Sequence, residues 1–100
     1  MGADKRQHER YRVAIDVTFH HGDALVTART RDISLGGMFI ETAQGVPYGT
    51  QLTLELKLPA LQAPAVLEGT VRWMGPDGMG IQFGALRARE TWAINQLVRR

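Results

Sequence analysis

The 100-residue chain contains no cysteine, which excludes a disulfide framework, a thiolate nucleophile and any zinc site built on cysteine. It has a single serine, Ser34, so a Ser-His-Asp triad would need that residue together with His8, His20 or His21, and sequence position brings none of them to it. His20 and His21 are adjacent at a strand end, where successive side chains point to opposite faces, so they make a poor joint metal site. The carboxylates are scattered singly, with no pair marked as general acid and base. Neither an enzyme nor a cofactor or metal is expected. No apolar run approaches the roughly 20 residues of a membrane helix. Asp4, Lys5, Arg6, Gln7 and His8 stand where a secretory signal would carry its apolar stretch. These absences predict a cytoplasmic protein without membrane insertion.

What is present suits one small domain with one core: 44% hydrophobic and 22% charged residues, with 11 Gly and 4 Pro. The formal net charge of +2 is too small to imply a nucleic-acid partner, but its placement is uneven. Residues 1–12 hold Lys5, Arg6, Arg10 and Arg12 against Asp4 and Glu9, a sum of +2, and the rest of the chain balances. Arg87, Arg89, Arg99 and Arg100, against Glu90, close the chain. Each end can meet an anion or simply be a solvated terminus.

From Tyr11 the pattern is period-two: Tyr11, Val13, Ile15, Val17 and Phe19 alternate with polar or small residues, which predicts a half-buried strand running through Phe19. His20 to Asp23 form a turn, and a second strand runs to Asp32. A polar turn, Asp32 to Gly37, leads into Met38, Phe39 and Ile40, a short apolar strand. Leu52, Leu54, Leu56 and Leu58 alternate cleanly in the fourth strand. Val66 to Met74 is the fifth, with Trp73 on the parity of Leu67 and Val71. Gly75 to Gly78 turn into a sixth over Met79 to Phe83. Leu86 to Arg100 changes to helical period, with Ala93, Ile94, Leu97 and Val98 on one face. Six short strands followed by one helix predict an all-β domain, a small antiparallel barrel or sandwich with the helix on a face or an open end. Tyr11, Phe19, Phe39 and Trp73 fit core parity, so an aromatic, basic face for nucleic acid is not expected.

Two segments carry chemistry. In Asp32-Ile33-Ser34-Leu35-Gly36-Gly37 the Asp and Ser supply short oxygen acceptors, and the glycines permit positive φ and close approach to the main chain. Such a segment can serve only its own Asx or Ser turn, or it can accept from a base edge and offer backbone N–H groups to phosphate. The arm Lys5-Arg6-Gln7-His8-Glu9-Arg10 has no periodic apolar pattern and is expected to be mobile until occupied. Arg6 and Arg10 each offer a planar fork of donors for phosphate and a flat face for stacking on a base.

Together these segments resemble the PilZ domain family, whose members bind cyclic di-GMP through an Arg-x-x-x-Arg arm and an Asp/Asn-x-Ser-x-x-Gly turn. Here the two are Arg6 to Arg10 and Asp32 to Gly37, in the family's order and about two strands apart. Gly69-Thr70-Val71-Arg72-Trp73 and Gly78-Met79-Gly80-Ile81-Gln82-Phe83 extend the match to the whole chain from Lys5. The resemblance implies a six-stranded antiparallel β-barrel over 11–84, a C-terminal helix over 86–100 and a basic arm over 1–10, in a bacterial second-messenger receptor. It implies ligand contacts from Arg6, Arg10, Asp32, Ser34, Gly36 and Gly37. Lys5, where many relatives carry a further arginine, is a candidate contact as well. Arg12 is the alternative second arginine of the arm; Arg10 is preferred because Tyr11 then opens the strand directly after the motif. An unidentified effector protein and a monomer or weak dimer complete the expectation. The other reading is a degenerate member that binds no nucleotide and serves as a constitutive protein-interaction module.

Overall fold

The alternation of apolar and polar residues becomes a closed wall of short strands. The computed structural model describes residues 10–43 and 45–98, and the following statements concern those residues. The elements in chain order are β1 (Tyr11–Arg12), β2 (Asp16–His21), β3 (Ala24–Ile33), β4 (Gly37–Glu41), β5 (Gln51–Leu56), β6 (Ala65–Gly75), β7 (Gly78–Phe83) and α1 (Ala88–Val98). All pairings are antiparallel, in the order β3-β2-β5-β6-β7-β4, and β4 pairs back onto β3. The result is the expected six-stranded barrel, closed so that its main strands leave no long open edge. No helix among the described residues is long and apolar enough to cross a membrane.

Side chains of one parity fill the barrel: Val17 and Phe19 of β2, Met38 and Ile40 of β4, Leu54 and Leu56 of β5, Val71 of β6 and Met79 of β7 are buried. Two turns show their glycines at work. Gly22 has φ 64° in the two-residue loop between β2 and β3, and Gly49 has φ 87° in the turn closed by Thr50 N–H to Pro47 C=O at 3.1 Å.

The first strand differs from its sequence pattern. The expected single strand through Phe19 is split, because 13–15 leave the ladder and are tied to β3 by a side chain. The buried Thr30 hydroxyl donates to Val13 C=O at 2.6 Å and accepts from Ile15 N–H at 2.9 Å, while Thr30 N–H donates to Ile15 C=O at 3.0 Å. β1 then pairs with the far end of β3, Arg12 opposite Asp32.

The helix begins two residues later than expected, at Ala88. Glu90, three residues after the N-cap position Arg87, accepts Arg87 N–H at 2.9 Å through one carboxylate oxygen, which is half of a capping box. Its other oxygen accepts from Arg87 Nε and Nη2 at 3.0 and 2.7 Å. Glu90 is only 2% exposed, and these Arg87 hydrogen bonds hold its pKa below the usual carboxylate value against the opposing effect of burial. Arg87, one of the C-terminal basic cluster, is thereby committed to the helix start. Ala93 and Ile94 join the core and Leu97 packs against it. Arg99 and Arg100 lie outside the described residues.

Candidate functional site

Arg10, the one described residue of the arm, meets the Asp32–Gly37 turn on the barrel, where two strands each carry an extra residue. Along β3 and β4 the pairing shifts between Thr30 opposite Ile40 and Asp32 opposite Phe39, so Arg31 is the extra residue. Along β6 and β7 it shifts between Val71 opposite Ile81 and Trp73 opposite Gly80, so Arg72 is extra. Phe39 pairs directly with Gly80. Asp32, Phe39, Gly80 and Trp73 therefore lie in one row across β3, β4, β7 and β6, with an inserted arginine at each end. A β-bulge bends its strand and re-aims the side chains beside it.

The re-aiming overturns one sequence expectation. Trp73 shares parity with Val71 by counting, but the extra residue turns it outward, and it is 53% exposed instead of buried in the core. Phe39 also lies on the outer face, half-buried, between the inward Met38 and Ile40. The two rings meet at a centroid distance of 5.5 Å and an angle of 50°. Gly80 between them has no side chain to keep them apart, and a Cβ on Gly75 would overlap the Trp73 indole. The Arg31 guanidinium stacks 4.3 Å from the Phe39 ring centroid, with its Nε donating to Glu41 at 2.9 Å. Core parity holds for Phe19 but not for Trp73, nor for Phe39, whose inward-pointing neighbours are Met38 and Ile40.

A cleft of about 570 Å³ opens along this row. Phe39, Trp73, Gly80 and Ile81 form its apolar wall, the turn residues Ser34, Gly36 and Gly37 form one end, and Arg10, Arg72 and Gln82 supply its polar groups. No carboxylate is among the described residues that line it. Arg72 Nε donates to Gln82 Oε1 at 2.8 Å, which fixes the guanidinium on the rim.

Arg10 Nε and Nη2 both donate to Asp32 Oδ1, at 3.1 and 2.6 Å, which joins the arm's last motif residue to the first residue of the turn. Arg10 lines the cleft, and Arg12 lines a different groove. Ser34 is buried with its hydroxyl turned into its own turn, accepting from Gly36 N–H at 3.1 Å and Gly37 N–H at 3.2 Å and donating to Gly37 C=O at 3.3 Å. The glycines answer a different need from the one expected, since neither Gly36 nor Gly37 has positive φ. Gly37 is glycine because a Cβ there would overlap the Ile81 carbonyl oxygen of the neighbouring strand. Gly36 C=O accepts from Phe83 N–H at 2.9 Å, so the turn is anchored on β7. Lys5 and Arg6, and the expected mobility of the arm, lie outside the described residues.

Met38, Phe39, Arg72, Trp73, Gly80, Ile81 and Gln82 line the cleft without being among the residues that the sequence points to. The signal for Arg72, Trp73, Gly80, Ile81 and Gln82 is the two family-like stretches Gly69–Trp73 and Gly78–Phe83, hidden for Trp73 by a bulge that parity counting cannot see; Met38 and Phe39 lie in neither stretch. Cations for phosphate and flat apolar faces for bases together suit an anionic ligand with planar rings, while the Gly36 and Gly37 N–H groups are taken up by Ser34 inside the turn.

Comparison with known proteins gives the family and the fold. The family model described as the PilZ domain matches residues 4–100. The inhibitor of motility MotI/DgrA of Bacillus subtilis superposes with a TM-score of 0.75 at 24% identity, over 95% of this chain and 50% of that one, so the chain spans about half of that protein. The PilZ domain of YcgR from Escherichia coli, solved with c-di-GMP, gives a TM-score of 0.76 at 17% identity over 96% of this chain and 93% of that one. The PilZ domain of CeSA from a cellulose-synthesizing bacterium gives 0.69 at 18%, over 91% and 95%. At these identities the likeness to the solved structures is one of fold. No curated protein matches the chain.

Proposed function

The chain belongs to the PilZ domain family, whose model spans residues 4–100, and on that premise we propose that it is a cytoplasmic receptor for cyclic di-GMP that regulates a partner protein. The observation that carries this reading is the cleft in which Arg10, held on Asp32, and Arg72 stand beside the outward faces of Phe39 and Trp73. Arg10, with Arg6 and Lys5 of the same arm, takes the phosphates and stacks on a base. Asp32 accepts from the N–H edge of guanine. Gly36 and Gly37 let the main chain approach, and Ser34 acts by holding their N–H groups in place. Trp73 supplies a further flat face for a base.

The energetics are compatible with a micromolar receptor. Ordering five arm residues around a ligand costs on the order of 5 to 10 kcal/mol. Charge-assisted hydrogen bonds at about 1.5 to 3 kcal/mol each, with cation–π contacts at about 0.5 to 2, offset that and leave roughly −8 kcal/mol. The arm's new position and charge change the surface a partner meets, so a partner that distinguishes the two forms is controlled by ligand concentration.

Calorimetric titration with cyclic di-GMP at physiological salt, with GTP and GMP as controls, tests this. Saturable heat specific to the cyclic dinucleotide supports the receptor and gives its stoichiometry. Absence of heat, with an unchanged melting temperature at high ligand, rejects it in favour of a constitutive interaction module.

A further inference from the structure

The barrel wall has a second opening, where the first strand of the sequence pattern splits. β2 stays with β5 through Val17 opposite Leu56, and Lys57 N–H donates to Asp16 C=O at 3.0 Å. Beyond that point 13–15 are drawn to β3 by Thr30, leaving a groove of about 400 Å³ between them and Lys57 and Pro59, with Leu97 of the helix at its side. No residue lines both this groove and the cleft.

Two properties of the groove point to the same kind of occupant. The first is charge: Arg12, Arg29 and Lys57 line it against one carboxylate, Asp16, which lies 3.4 Å from Arg29. Arg12 and Lys57 are exposed and have no ion-pair partner among the described residues. The second is backbone. Val13 C=O and both backbone groups of Ile15 are turned toward Thr30, so the alternation of an extended chain turns those of Ala14 the opposite way. The N–H and C=O of Ala14 have no partner among the described residues. An extended segment with an exposed donor and acceptor is a template for a further strand.

We propose that this groove docks an extended acidic segment of a partner protein, whose backbone pairs with Ala14 and whose carboxylates meet Arg12 and Lys57. A peptide backbone offers both a donor and an acceptor to that edge, whereas nucleic-acid phosphates only accept. The groove's one ring, Tyr11, is half-buried and presents no stacking platform. Neither end of this chain suits it, since residues 1–12 sum to +2 and the C-terminal stretch holds four arginines against Glu90. The proposal rests on these residues and stands whether or not the cleft takes a nucleotide.

The test is fluorescence anisotropy of the full chain with a labelled short peptide of alternating Glu and Val, alongside its Lys–Val counterpart, a version N-methylated at alternate residues and an oligodeoxythymidine. Saturable binding of the acidic peptide alone is expected, weakened by added salt and reduced about tenfold or more in Lys57→Glu and in Arg12→Glu. Both side chains are exposed and have no ion-pair partner among the described residues, and circular dichroism checks that the variants fold. Calorimetry with cyclic di-GMP on Lys57→Glu is a separate readout, so failure of the groove and failure of the nucleotide reading are distinguishable. Equal affinity in wild type and Lys57→Glu, undiminished binding of the N-methylated peptide, or no binding up to millimolar peptide would overturn the proposal. Preference for the oligonucleotide would overturn it too, by making the groove a nucleic-acid site.

Discussion

At Asp32 one carboxylate oxygen accepts two N–H groups of Arg10, and the two side chains remain partly exposed. A pair in that setting contributes at most about 1 kcal/mol to stability. Its value to the protein lies in where it holds Arg10, which lines the cleft while Asp32 anchors it from outside the lining. Arg10→Ala and Asp32→Ala are therefore expected to weaken cyclic di-GMP binding at least about tenfold, near 1.4 kcal/mol, while the fold persists. Unchanged affinity in folded variants would reject the assigned site. Trp73→Ala removes a half-exposed ring that packs on Phe39 and is expected to cost about 1 kcal/mol of binding by calorimetry, with little change in melting temperature.

Thr30 and Glu90 act on whole elements. Thr30→Val keeps the shape of the side chain but leaves Ile15 N–H and Val13 C=O without their partner, a loss of about 1 to 3 kcal/mol in denaturant unfolding. Loss of that size would confirm that the split of the first strand is held by one hydroxyl. Glu90 gives the helix a pH dependence of definite sign. Its folded pKa is depressed, so its contribution is fully present above the unfolded value of about 4.3 and disappears as pH falls through the lower folded value. Glu90→Gln is expected to lower stability at neutral pH and to flatten the acid limb of the melting curve below about pH 5. An acid limb as steep as that of the wild type would show that other carboxylates dominate it.

For the whole molecule, barrel closure is decisive because β4 pairs with both β3 and β7, bringing the turn after Asp32 beside Trp73 and Gly80. A ligand seated there touches elements from both halves of the chain and stabilises the barrel as a unit. At a hundredfold excess over its Kd the gain is about 2.7 kcal/mol. For a domain of this size that raises Tm by roughly 10 to 20 °C, which differential scanning fluorimetry reads directly. The proposed regulation of a partner belongs to this scale as well. Pull-downs with and without cyclic di-GMP are expected to recover different amounts of the same partner, and equal recovery would count against ligand control.

Period-two alternation determined the strands, because burying one face of a sheet leaves its mark on every second residue. The late change to helical period determined the helix, and the arm and turn motifs mark the candidate ligand contacts. Legibility stopped where pairing is non-local. Nothing near Trp73 states that Arg72 is an extra residue, since a bulge exists only relative to the partner strand, so counting alone places Trp73 in the core. Nothing near Gly37 states that Ile81 will lie against it, so the glycine looked like a conformational need when it is a spatial one. The split at 13–15 depends on a hydroxyl fifteen residues away from Ile15. Local sequence carries the periodicity of burial, while register, bulges and the outward turn of a ring are properties of strand pairs, and only closure of the barrel decided them.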